Sequence, residues 1–171
     1  MNNGNDDIWG SEKNNTKTYT NTKNFVNSSA FTSKSKNATI NIPKMTYNMS
    51  LDFKNNDSAG SSTLTTKITV KNVIYYLTKE GSETKISQKT ISINETNSST
   101  ASRGISNTTT VEFDVTETNL NPNNLDEDTK YYLNMSIEYE ISIKRSSTSV
   151  YWTSYQIGGL KFKIPSRILK F

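Results

Sequence analysis

A strict alternation of apolar and polar residues over positions 131–143 constrains the fold more than any other feature of this sequence. Seven large apolar side chains share one parity, with polar residues between nearly all of them: Tyr131, Leu133, Met135, Ile137, Tyr139, Ile141 and Ile143. Because successive side chains of a strand point to opposite faces, this pattern predicts a β-strand with one face in a core and the other in water. The segment 45–53 alternates in the same way, with its apolar parity at Met45, Tyr47, Met49, Leu51 and Phe53.

No segment has helical periodicity, and further strands are predicted at 64–77, 84–94, 111–115 and 150–164. Past Asn72 both parities become apolar, which predicts a strand covered on both faces or a β-bulge. Gly158 and Gly159 predict a bulge in the last strand. The stretch 94–108, rich in Ser and Thr, is predicted as a long polar loop. About seven such strands predict an all-β fold, an antiparallel β-sandwich.

The first 36 residues follow a different pattern. Their large apolar residues beyond Met1 are few and stand at neither helical nor alternating spacing: Ile8, Trp9, Tyr19, Phe25, Val26 and Phe31. Such a segment buries too little surface to offset its ordering entropy. We therefore predict an extended polar N-terminal arm over residues 1–36, ordered by resting on another subunit. Residues 37–171 are predicted to form the sandwich and a short basic and apolar C-terminal tail.

A turn and the strand after it carry a resemblance to a known fold family. The segment Leu120-Asn121-Pro122, followed by Thr129-Lys130-Tyr131, resembles the entry into the penultimate strand of fibronectin type III-like and immunoglobulin-like domains. In those domains a tyrosine hydroxyl bonds back to upstream backbone and forms a tyrosine corner. The resemblance implies an immunoglobulin-like (Ig-like) sandwich and gives Tyr131 the structural role of the corner residue.

The overall build is similar to that of small Ig-like virion proteins of tailed bacteriophages, especially the auxiliary proteins that decorate capsids. The shared features are a single sandwich, a polar arm, loops rich in Asn, Thr and Ser, and no cysteine. This similarity implies a structural virion protein, in the first place an auxiliary capsid (decoration or cement) protein. A phage tail, ring or fibre subunit is the first alternative. A cell-surface or carbohydrate-binding module is the second, and the absence of a secretory signal at the N-terminus argues against it.

The residue types needed for most catalysis are missing. Cysteine and histidine are both absent, which removes thiol nucleophiles, Cys-based zinc sites and the commonest general base. We therefore expect no enzyme, no cofactor and no metal. Two carboxylate pairs leave a carboxylate-dependent hydrolase as an alternative. Alternate positions on a strand lie about 6.6 Å apart, a separation that fits the two carboxylates of an inverting glycosidase. These pairs are Glu138 with Glu140 and Glu112 with Asp114, and a solvated outer face explains them better.

Two polar features are candidate binding sites. The loop 119–128 is rich in Asn and Asp and offers oxygen ligands for calcium, but ordinary turn chemistry explains the same residues better. Basic residues without any acid collect after position 143, at Lys144, Arg145, Lys161, Lys163, Arg167 and Lys170. A basic end can face nucleic acid, but this one lacks the sharp basic stripe of such proteins, so a nucleic-acid partner is disfavoured.

Large apolar side chains on the polar arm and tail are the candidate partner anchors, because such side chains cover neighbouring surfaces well. The set consists of Ile8, Trp9, Phe25, Phe31, Ile168, Leu169 and Phe171. The alternative is that these residues fold back on their own domain, as terminal segments often do. The expected partners are the major capsid protein or other virion subunits, or a further copy of the chain. We expect no small-molecule substrate and no membrane, and place the protein in the virion, made in the host cytoplasm.

Overall fold

The computed structural model describes residues 8–10, 16–26, 31–56, 62–147 and 155–163. These ranges are all-β with antiparallel sheets and contain no helix, as the alternation predicts. Consequently they include no helix long and apolar enough to cross a membrane. Their eleven strands are β1 (Ile8–Gly10), β2 (Thr16–Val26), β3 (Phe31–Thr32), β4 (Ile40–Ile42), β5 (Met45–Asn55), β6 (Ser62–Lys79), β7 (Ile86–Ser102), β8 (Ser106–Val115), β9 (Thr118–Leu120), β10 (Lys130–Ser147) and β11 (Tyr155–Lys163).

Two main sheets make up the sandwich-like arrangement. The first sheet has the strand order β1-β11-β5-β8, and the second has the order β2-β10-β6-β7, with β3 also paired to β10. The short strands β4 and β9 form a separate antiparallel pair. Every neighbouring pair of strands is antiparallel, so the predicted fold class is confirmed. The Ig-like assignment within that class stays a prediction.

The core lies between the sheets and uses the parities that the sequence predicts. On β10 every second residue from Tyr131 to Ile143 is buried, and on β5 the buried parity runs from Tyr47 to Asn55. The sheets also exchange polar contacts inside this core. The hydroxyls of Tyr47 and Tyr75 lie 3.2 Å apart, and burial raises the pKa of Tyr75. These contacts fix which residues of the two sheets face one another.

The irregularities that the sequence predicts inside strands are present. The register of β11 against β5 shifts between Ile157 and Leu160, which places a bulge at the two glycines. The register of β6 against β7 shifts between Val70 and Asn72, where the apolar pattern changes parity. In both places an extra residue is accommodated by bending one strand while its neighbour continues.

The prediction of a loop over residues 94–108 is wrong for most of that range. Strand β7 continues to Ser102, and β8 begins at Ser106 after a turn. Threonine is β-branched and pairs well across strands, which offsets the missing apolar alternation. Two hydroxyl contacts between β6 and β7 show this, Thr65 to Thr100 at 2.9 Å and Thr96 to Thr69 at 3.0 Å.

Candidate assembly edge

A sandwich of two sheets has two open sides, and here the side formed by β7 and β8 is closed by asparagine side chains. Asn97 Nδ2 on β7 donates to the carbonyl oxygen of Thr110 on β8 at 2.6 Å. In return, Asn107 Nδ2 on β8 donates to the carbonyl oxygen of Thr100 on β7 at 2.9 Å. Edge carbonyls that already accept hydrogen bonds are poorer acceptors for another chain. We call β7 and β8 with these bonds the closed side.

The opposite side ends in strands from the N-terminal segment. Within the described part of the chain, β1 pairs with β11 over three residues and β2 pairs with β10 over eleven. Strand β3 continues along the same edge of β10, with Phe31 opposite Tyr131. We call β1, β2 and β3 the N-terminal edge. The sequence predicts no strand in residues 1–36, so these three strands are a finding of the structure, while the division of the chain at residue 36 stays a prediction.

The residue pattern of β2 explains why hydrophobic periodicity does not reveal this strand. Its residues 16–22 alternate Thr with Lys, Tyr and Asn, so apolar alternation is absent. An edge strand needs only one backbone ladder, and β-branched threonine suits the extended backbone without a buried apolar face. Alternation of threonine, rather than of apolar residues, is therefore the signal that the sequence offers.

Just after the N-terminal edge, the chain is fixed to the loop that precedes β10. The backbone N–H of Asp128 donates to the carbonyl of Ser33 at 3.1 Å, and that of Leu125 donates to the carbonyl of Lys36 at 2.9 Å. The backbone N–H of Ala38 donates to the carbonyl of Pro122 at 3.1 Å. Residues 33–38 are therefore held by their own domain, although they include the end of the predicted arm.

Tyr131 supports this loop from the core side. Its side chain is buried, and its hydroxyl oxygen accepts a hydrogen bond of 2.8 Å from the backbone N–H of Asp126, five residues upstream. The ring of Phe31 lies beside it, with 6.0 Å between the ring centroids. The phenol thus joins a core position to loop backbone, and its role as a tyrosine corner stays a prediction.

Replacing Tyr131 by phenylalanine removes that hydroxyl and keeps the ring. We expect Tyr131→Phe to lower the free energy of unfolding by about 0.5–1.5 kcal/mol, the net worth of one hydrogen bond. The matched control is Tyr132→Phe, one residue later and half-buried on the outer face, with an expected change within about 0.5 kcal/mol. Urea denaturation of both variants measures the difference, and equal effects would contradict the role given to Tyr131.

The structure places the candidate partner anchors in different surroundings. Ile8 and Trp9 lie on β1, opposite Ile157 and Gln156, and Phe25 lies on β2, opposite Met135. Phe31 is half-buried and packs against its own core. Ile168, Leu169 and Phe171 lie outside the described residues. The N-terminal anchors therefore share one side of the sandwich, and their docking role stays a prediction.

Two of the four carboxylates that leave a hydrolase possible, Glu140 and Asp114, take part in ordinary surface contacts. Glu140 is half-buried and lies 3.6 Å from the ammonium of Lys71. Asp114 accepts a hydrogen bond of 2.6 Å from Thr46 Oγ1, and this bond, followed by Lys44, lowers the pKa of its carboxyl. Asp52 behaves similarly, because a hydrogen bond from Thr108 and then Lys161 lower its pKa. The contacts of Asp114 and Asp52 stabilise their ionised carboxylates.

The two aspartates of the loop 119–128 lie close to lysines. Asp126 contacts the Lys79 ammonium at 2.6 Å, and this hydrogen bond lowers the pKa of its carboxyl. Asp128 lies 3.6 Å from the Lys34 ammonium. Over the described ranges no group of three or more His, Cys, Asp or Glu side chains is placed to hold a metal ion. Arg145, one of the basic residues near the end of the chain, is buried and does not face the solvent.

Comparisons with known proteins do not assign the chain to a family. No protein-family model and no curated protein matches it. Among solved structures, it is similar to those of infectious bursal disease virus strains Gx and Gt, at 10% and 8% identity with TM-scores of 0.17 and 0.15. These matches cover 89% and 88% of this chain but 41% and 42% of the other. The VP2 subviral particle of the same virus gives 10% identity and a TM-score of 0.15, over 88% of this chain and 41% of that one. The chain thus spans about two fifths of the length of these viral chains.

Proposed function

We propose that the protein is a non-enzymatic structural subunit of a virus particle, an auxiliary capsid protein of a tailed bacteriophage. It acts by holding neighbouring subunits at the N-terminal edge. The observation that carries this proposal is the difference between the two open sides of the sandwich. On the closed side, asparagine side chains occupy edge carbonyls, whereas the N-terminal edge ends both sheets in strands added along β10 and β11.

Strand addition at an edge is a physical route to assembly. Each added strand contributes main-chain hydrogen bonds whose geometry does not depend on a particular side chain. The contact area of one strand is modest, but a closed symmetric shell repeats it many times, so that the summed contacts stabilise the whole particle. The expected partners are accordingly the major capsid protein, other virion subunits, or further copies of this chain.

The phage assignment rests on the similarity of overall build that the sequence shows to Ig-like decoration proteins. A tail, ring or fibre subunit would use the same edge and differ only in its location on the particle. Location is therefore the property that the decisive experiment must measure.

The experiment purifies particles from a culture that produces the protein and locates the chain with an antibody in negative-stain electron microscopy. We expect the protein to co-sediment with intact particles and the label to lie on the capsid. A variant carrying Glu112→Gln, an exposed position on β8 of the closed side, serves as the matched control and is expected to co-sediment equally, because the proposal gives this carboxylate no part in docking. Label confined to tails would move the protein to the tail-subunit class. Absence from purified particles would contradict a structural virion role.

A further inference from the structure

We propose that residues 16–26 exchange between copies, so that β2 of one chain pairs with β10 of a second copy of the same chain. This inference rests on the proposed structural function and names its partner. It starts from the position of β2, which is an edge strand of the second sheet and lies near the beginning of the described chain. Within the described residues its sheet neighbour is β10, and the ladder between them has eleven residue pairs.

The core described above includes strands that stay in place when β2 leaves. The buried cluster in that core is made of residues between Ile40 and Phe162, on strands that follow β3. Phe31 packs against this cluster from β3, after the end of β2. The backbone bonds from residues 33–38 to the loop before β10 fix the chain immediately afterwards. The fixed domain thus includes Phe31 and residues 33–38, and the exchangeable strand ends at Val26.

The strand and the part of β10 that it covers carry net charges of opposite sign. The part of β10 that β2 covers, 134–144, contains Glu138, Glu140 and Lys144, a net charge of −1. Strand β2 contains two lysines and no acidic residue, a net charge of +2. Opposite charges favour encounter between the strand of one copy and the edge of another. The polar composition of β2 also favours its hydration while it is detached.

Exchange conserves the ladder, so protein concentration decides its extent. The same eleven pairs form within one chain or between two, and β1, which precedes β2, moves with it to β11 of the second copy, so that the two arrangements differ mainly in the entropy of association. In dilute solution β2 is therefore expected to pair with β10 of its own chain. A subunit held next to other copies experiences a high effective concentration, which favours the strand of a neighbour. The chain is therefore expected to pair β2 with its own β10 before assembly. In the assembled particle, the exchanged arrangement links adjacent copies.

Disulfide trapping between two different chains tests the exchange, and the natural chain contains no cysteine to interfere. Thr22 on β2 lies opposite Glu138 on β10, and directly opposite residues in an antiparallel ladder are close enough for a disulfide. One chain carries Thr22→Cys, and a second, mass-tagged chain carries Glu138→Cys. The control mixture replaces the second chain by one with Glu112→Cys, an exposed position on β8 in the other sheet. Both mixtures are equilibrated at high concentration and oxidised.

We expect a shift from monomer to mixed covalent dimer in the Thr22 and Glu138 mixture, well above the level in the control mixture, and falling on dilution. A single chain carrying both substitutions is expected to cross-link internally when dilute, which shows that the register is as described. If that double variant cross-links but the mixture gives no more dimer than the control, exchange between copies is wrong. Co-sedimentation of the natural protein with particles is scored separately. The proposed function can therefore fail while exchange stands, or stand while exchange fails.

Discussion

Deletion of residues 1–26 is expected to convert a chain that is monomeric when dilute into a self-associating protein. The deletion removes β1 and β2 and leaves β11 and the long strand β10 as open edges. Unpaired edges of this length are templates for pairing with other chains. Sedimentation velocity at increasing protein concentration measures the change, and near-ultraviolet circular dichroism reports whether the buried cluster on the remaining strands keeps its packing.

A synthetic peptide with the sequence of residues 16–26 is expected to reverse the association by restoring the ladder along β10. The matched control is a peptide of the same composition in shuffled order, which has the same charge but loses the register. A truncated chain that stays monomeric without any peptide would contradict the part given to the N-terminal edge. So would equal rescue by the two peptides.

Truncation of a core residue on β10 is expected to destabilise the protein more than loss of the Tyr131 hydroxyl does. Ile137 is fully buried, so Ile137→Ala creates a cavity and should lower the free energy of unfolding by about 2–5 kcal/mol. The matched control is the next residue along the strand, Glu138→Ala, on the outer face, with an expected change within about 0.5 kcal/mol.

Urea denaturation of the two variants and the natural chain measures this contrast. The alternation over 131–143 assigns neighbouring residues to opposite faces, so the effects should differ strongly between adjacent positions. Similar losses of stability at both positions would mean that this strand does not have one buried face, and the sandwich would be contradicted.

The fold class could be predicted because strands that bury one face and expose the other show an alternation of apolar and polar residues. On β5 and β10 burial follows the apolar parity of the sequence from Tyr47 to Phe53 and from Tyr131 to Ile143, and on β10 Asn134 and Ser136 of the other parity are buried as well. The glycine pair in β11 and the parity change in β6 marked the bulges, because both interrupt an otherwise regular pattern. Such features depend on local sequence alone.

The assembly edge could not be predicted in the same way. Strand β2 is stabilised by a ladder to β10, far away in sequence, and its own pattern lacks apolar alternation. The second half of β7 escapes prediction for a related reason, since hydroxyl pairs such as that of Thr65 with Thr100 replace apolar contacts there. The closed side depends on Asn97 and Asn107 reaching backbone of the opposite sheet, a contact that no local pattern encodes.

The most direct test of the central claim, that neighbours are held at the N-terminal edge, is hydrogen–deuterium exchange of the free protein and of the same protein in purified particles. The account predicts that backbone amides of residues 16–26 and of the facing part of β10 gain protection in the particle. It predicts no change for residues 97–110 on the closed side. Protection gained over 97–110, with residues 16–26 unchanged, would contradict the account.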